Sequence, residues 1–148
     1  MKYRKYRKSD FNNWLSMALA LWPDYSKTDL AKELRAIAKS KRQTTFIAID
    51  GSKYIGFINI SLRHEHVEGS KSSPVGYSEG IYIKPPYRKQ GVASQLLKMG
   101  EIWATGKGAK EMASDTWLWN KDSRTFHKKL GFKETEKIVH FIKKSANK

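Results

Sequence analysis

The chain contains no cysteine. That absence excludes a disulfide framework, a thiolate metal site and a cysteine nucleophile. Carboxylates are scarce: 14 Asp and Glu stand against 29 Lys and Arg, for a formal net charge of +15. No apolar run approaches the length a helix needs to cross a bilayer. The basic N-terminus MKYRKYRKSD is not followed by the apolar core of a signal peptide. Together these absences predict a soluble, cytoplasmic protein with no membrane contact and no metal. Proline is also rare, at four residues, so each one marks a break worth reading.

What is present suits one folded domain spanning 1–148. The chain has 148 residues, 39% of them hydrophobic, and five Trp, enough for one core and too few residues for two ordinary domains. No repeat, linker or low-complexity tract interrupts it. The positive excess has three readings: a solvated lysine surface, a nucleic-acid-binding module, or steering of an anionic ligand. The basic residues are scattered, and no long single-sign block marks a nucleic-acid tail.

The pattern predicts a strand over Lys2–Arg7 and a helix capped by Ser9 or Asp10 and running to Leu21, with Phe11, Trp14, Leu15, Ala18 and Leu19 on one face. Pro23 ends that helix, and Thr28 can cap a second one, with Leu30, Leu34 and Ile37 inward. Thr44–Ile49 and Tyr54–Leu62 read as strands joined by a hairpin at Asp50-Gly51. A polar loop from Arg63 to Pro74 follows. In the next strand Tyr77, Glu79, Ile81 and Ile83 alternate against Ser78, Gly80 and Tyr82, and Pro85 and Pro86 stop it. A helix from Val92 to Thr105, a strand over Glu111–Asp115, and a short helix capped by Asn120 or Asp122 come after it. Phe132–Glu134 and Glu136–Ile142 read as final strands. The order is β-α-α-β-β-β-α-β-α-β-β, and the βαβ unit around the Val92 helix requires parallel strands.

The organising stretch is Glu79–Ala93, EGIYIKPPYRKQGVA. Strand, short basic glycine loop and helix place free backbone N–H groups at a helix N-terminus. Gly91 and Ala93 let an anion approach the backbone, and Arg88 and Lys89 add charge. By itself R-x-x-G-x-A is more often an ordinary basic strand-to-helix turn. A second motif lies downstream: Asn120-x-x-Ser123-x-x-Phe126-His127-x-x-Leu130-Gly131-Phe132.

Together these motifs resemble the GCN5-related N-acetyltransferase (GNAT) superfamily. The resemblance implies an α/β (α+β) fold, a central mixed, twisted sheet flanked by helices, and acetyl-coenzyme A as co-substrate. Leu21-Trp22, Ser73–Tyr82, Ala113-Ser114-Asp115 and Gly131-Phe132-x-Glu134-Thr135-Glu136 narrow it to the aminoglycoside 6′-N-acetyltransferases, bacterial resistance enzymes. In that likeness Trp22, His66, Glu79, Asp115 and Glu136 line the aminoglycoside pocket. Ile81, Tyr82, Ile83, Arg88, Lys89, Gln90, Gly91, Val92, Ala93, Ser94 and Asn120 hold acetyl-coenzyme A. A homodimer is likewise implied. Glu79, then Asp115, is the candidate proton acceptor for the attacking amine. In much of the superfamily a tyrosine stands where this chain has His127, which becomes the candidate general acid. Each carboxylate alone is more often a surface ion-pair partner, and Trp22 alone more often a core residue. The rival activity on the same fold is acetylation of a protein N-terminus or lysine.

Overall fold

The computed structural model describes residues 1–145. The chain divides into two compact units, Met1–Asp115 and Thr116–Lys148. The first holds β1 (Lys2–Lys5), α1 (Phe11–Leu21), α2 (Lys27–Lys39), β2 (Gln43–Asp50), β3 (Lys53–Arg63), β4 (Val75–Ile83), α3 (Val92–Gly106) and β5 (Met112–Ser114). The second holds α4 (Lys121–Lys129). The strands form one sheet in the order β1-β2-β3-β4-β5. All neighbours are antiparallel except β4 and β5, which run parallel as the intervening helix requires.

β2 and β3 are buried almost throughout because helices cover both faces of the sheet. α1 and α2 pack on one face, where Trp14, Leu15, Leu30 and Leu34 meet Ile47 and Phe57. α3 packs against β2, β3 and β4 and buries Val92, Leu96, Leu97 and Ala104. The β2–β3 hairpin forms as the sequence predicts; Asp50 pairs with Lys53, so the turn itself is Gly51-Ser52, with Gly51 at φ 61°.

Four expectations are corrected. Asp10 stands at the N-cap of α1 but does not cap it; its carboxylate turns back to Arg4, Tyr54 and the Arg7 N–H. α2 begins one residue before Thr28, and Ser26 caps it by accepting from the Asp29 N–H at 3.1 Å. The alternation along β4 breaks at Glu79. Asn59 pairs with Gly80 and Ile60 with Ser78, so Glu79 is the extra residue of a β-bulge. Beyond it Gly80 and Tyr82 share the face of Phe57 and Trp22. Finally, neither Phe132–Glu134 nor Glu136–Ile142 is a strand among the described residues. Ile138, Val139, Phe141 and Ile142 are exposed, and a strand needs a hydrogen-bonded neighbour to persist.

Candidate active site

β4 is bonded on both sides only over its first half. β5 pairs with Gly76–Ser78 and goes no further. Alternate residues of an antiparallel strand bond to the same neighbour. Lys84 N–H donates to the Ile55 carbonyl at 2.8 Å, so Tyr82 faces β3 as well. The N–H groups of Ile81 and Ile83 therefore turn to the opposite edge, beyond the Gly76–Ser78 stretch that β5 covers. On that edge the Ile83 carbonyl accepts from Arg88 Nε at 2.7 Å, which ties the following loop to the strand.

The loop delivers an anion-binding backbone. Lys89 and Gly91 both adopt positive φ, 61° and 83°, and Gln90 Nε2 donates to the Pro86 carbonyl. The first intrahelical bond of α3 runs from Gln95 N–H to the Gly91 carbonyl. The N–H groups of Val92, Ala93 and Ser94 precede it and, with no side-chain cap, point out of the helix end. A Cβ on Gly91 would meet nothing within 4 Å, so the space over the loop is open.

Beside the first half of β4 lies a cleft of about 640 Å³ whose walls include Trp22, Tyr25, Glu33, Arg42, Ser61 and Glu79. Trp22 follows α1 and packs against Gly80, where a Cβ would come within 2.4 Å of the indole. Glycine at this position is what admits the ring. The cleft thus joins two of the predicted residues, Trp22 and Glu79. His66 is not on its wall; it sits in the exposed loop after β3, 4.0 Å from Glu68.

Glu79 and Asp115 belong to one network. Arg63 grips Glu79 with Nε at 2.9 Å and Nη2 at 2.7 Å, and Ser61 Oγ donates to it at 2.5 Å. The same guanidinium lies 3.4 Å from the centre of the Tyr77 ring. Tyr77, buried in β4, donates its hydroxyl to Asp115 Oδ2 at 2.5 Å. Burial first, then this hydrogen bond, pushes the Tyr77 phenol well above its usual value, so it stays a donor. Asp115 Oδ1 carries no hydrogen bond within the described residues, whereas both Glu79 oxygens are engaged.

In the second unit Asn120 caps α4 by accepting from the Ser123 N–H at 3.0 Å, and its side-chain NH₂ points elsewhere. His127 donates Nδ1–H to the Ser123 carbonyl at 2.7 Å, between the rings of Phe126 and Phe132. That bond sets the tautomer: the neutral ring carries its lone pair on Nε2. Glu136 is exposed in the irregular segment after α4.

Sequence reasoning missed Arg63, Ser61, Tyr77 and Glu33. Three of them meet through the sheet: Ser61 pairs with Tyr77 in the β3–β4 register, and Arg63 follows two residues on, on the same face.

Residues 11–132 match the acetyltransferase (GNAT) family. An aminoglycoside N(6′)-acetyltransferase type 1 from Salmonella enteritidis is 37% identical over 144 residues, 97% of this chain and 99% of the relative. One of the same name from Serratia marcescens is 42% identical over 132 residues, 88% of this chain and 90% of that protein. Among solved structures, AAC(6′)-Iy in complex with the bisubstrate analogue CoA-S-monomethyl-acetylneamine superimposes with a TM-score of 0.92 at 36% identity, covering 97% of both chains. The apo 6′-N-acetyltransferase AAC(6′)-IG from Acinetobacter haemolyticus gives 0.91 at 35% identity, over 99% of this chain and all of that one. A family match across residues 11–132 and identities of 37% and 42% along most of both chains show that the chain belongs to the GNAT family of acetyltransferases.

Proposed function

We propose that this protein transfers the acetyl group of acetyl-coenzyme A to the 6′-amine of aminoglycosides, and so confers antibiotic resistance, by direct attack in a ternary complex. The observation that carries this reading is the carboxylate-lined cleft of Trp22, Glu33 and Glu79 in a chain so similar to enzymes of that name. Acetyl-coenzyme A fits the residues present. The N–H groups of Val92, Ala93 and Ser94, with Arg88, Lys89 and Gln90, suit its pyrophosphate. The N–H groups of Ile81 and Ile83, flanking Tyr82, suit the thioester carbonyl and the oxyanion that forms on it. We assign Asn120 to the same ligand.

The attacking amine must be neutral. Geometry favours Asp115 over Glu79 as the group that takes its proton, directly or through a water. Glu79 already accepts from three donors, whereas Asp115 has an oxygen to offer. Glu79, Trp22, His66 and Glu136 are then substrate contacts, the two carboxylates through charge-assisted hydrogen bonds to non-reacting ammonium groups. We assign protonation of the leaving thiolate to His127.

We read the two units as one catalytic domain, because the family match at 11–132 runs across their boundary. No helix of the described residues is long and apolar enough to cross a membrane, and a cytoplasmic location suits the co-substrate. A homodimer is supported by exposed Ile138, Val139, Phe141 and Ile142. The function is tested by thiol release from acetyl-coenzyme A with a panel of amine acceptors. A 6′-amino aminoglycoside should be acetylated and its 6′-hydroxy analogue should bind without acetylation at that position. Preference for peptide amines would overturn the reading.

A further inference from the structure

We propose that Arg63 determines acceptor specificity: its guanidinium occupies Glu79 in the free enzyme and yields that carboxylate to an ammonium group of the incoming acceptor. The inference rests on the function proposed above. Three observations carry it. Glu79 lines the cleft, yet Arg63 Nε and Nη2 and Ser61 Oγ hold both its oxygens. A carboxylate offers about four lone-pair positions and three are filled, so an ammonium that engages both oxygens must displace Arg63 Nε or Ser61 from Oε2. Second, Arg63 is free to move. Its side chain is 42% exposed, and half-exposed ion pairs are weak enough to exchange. Third, it has another seat. The guanidinium stacks on the Tyr77 ring at 3.4 Å, and Tyr77 leads to the second carboxylate, Asp115, through its hydroxyl. The charge on Asp115 already reaches Arg63. Displaced from Glu79, Arg63 keeps its aromatic contact and a neighbouring anion.

Charge counting gives the consequence. With Arg63 on Glu79, the quartet of Arg63, Glu79, Tyr77 and Asp115 holds one net negative charge, on Asp115. A monoamine competes poorly against a guanidinium already bound at two points. An acceptor bringing several ammonium groups can displace it, because its other charges are held elsewhere. Arg63 is thus a filter for polycations and a tax on their affinity.

The test compares wild type with R63Q and R63K, using a 6′-amino aminoglycoside and a simple monoamine as acceptors. R63Q should lower the aminoglycoside KM about three- to tenfold and lower the monoamine KM more, narrowing the preference. Its KM for acetyl-coenzyme A and its melting temperature should hold. R63K, which keeps the charge and loses the two-point grip, should fall between. An aminoglycoside KM that rises or stays fixed in a folded R63Q overturns the proposal. A second readout needs no folded R63Q: the Arg63 Nε–H resonance of the wild type, assigned with R63K. It should shift on acceptor binding, and an unmoved signal at saturation overturns the proposal equally. Failure of the function itself is distinguishable, since the wild type would then release no thiol with any aminoglycoside.

Discussion

Glu79 and Asp115 have the same chemistry and different company, and their substitutions should separate. Glu79→Gln removes the charge that Arg63 and the acceptor share. A charge-assisted hydrogen bond contributes roughly 1.5–3 kcal/mol, but the pair with Arg63 is lost too, so the acceptor KM should rise only about tenfold. Asp115→Asn keeps an oxygen for the Tyr77 hydroxyl and removes the proton acceptor, so kcat should fall about a hundredfold or more. Steady-state kinetics at saturating acetyl-coenzyme A decides. If Glu79→Gln carries the kcat loss instead, the roles reverse. Asp10 shows a carboxylate used for stability. It is fully buried and held well below the usual carboxylate range, chiefly by Arg4, with Tyr54 and the Arg7 N–H helping against desolvation. Its folded value is depressed, so its stabilisation is complete above its unfolded value of about 3.9 and is lost as pH falls through the folded one. Asp10→Asn should cost roughly 3–5 kcal/mol in urea unfolding at neutral pH, and the difference from wild type should shrink below about pH 4.

Elements differ in how much of them the sequence declares. Hydrophobic periodicity located α1, α2 and α3, because each buries a regular stripe against the sheet, and the Asp-Gly turn signal located the hairpin. The bulge at Glu79 had no such mark. One inserted residue leaves the composition of a strand unchanged, so the apparent alternation through Ile83 concealed a change of face. The Arg63 network was hidden for a related reason: it depends on cross-strand register, which periodicity within one strand does not specify. The last two predicted strands rested on β-propensity alone, and propensity supplies no partner. The glycine loop was legible because positive φ and a proline stop leave residue-specific marks. It also yields a test. Gly91 has φ 83°, where a side chain costs about 1–2 kcal/mol of backbone strain. Its Cβ would touch no protein atom. Gly91→Ala should therefore lower stability by about that amount. It should also weaken acetyl-coenzyme A binding, because the methyl enters the space over the loop. Calorimetry on the folded variant distinguishes the two. Affinity unchanged from wild type would remove the loop from the cofactor site.

At the scale of the whole molecule, the net charge of +15 acts oppositely on the two proposed substrates. It draws in polyanionic acetyl-coenzyme A and repels a polycationic aminoglycoside. Only local carboxylates reverse the sign for the acceptor, and with Glu79 neutralised by Arg63 the reversal near β4 depends on Asp115 and, across the cleft, Glu33. Long-range and contact terms respond differently to salt. The Debye length is about 10 Å at 0.1 M and shrinks to about 3 Å at 1 M, so the field of the whole surface is screened first. Contacts inside the cleft are screened less. Raising ionic strength should therefore raise the KM for acetyl-coenzyme A and, over the first increments, lower the KM for the aminoglycoside. Glu33→Gln should raise the acceptor KM at every salt concentration, because it removes a contact charge. Initial rates across a salt series, varying one substrate at saturating levels of the other, check this. If both constants rise together, attraction by the cleft already dominates at long range. The surface charge then plays no part in choosing between the substrates.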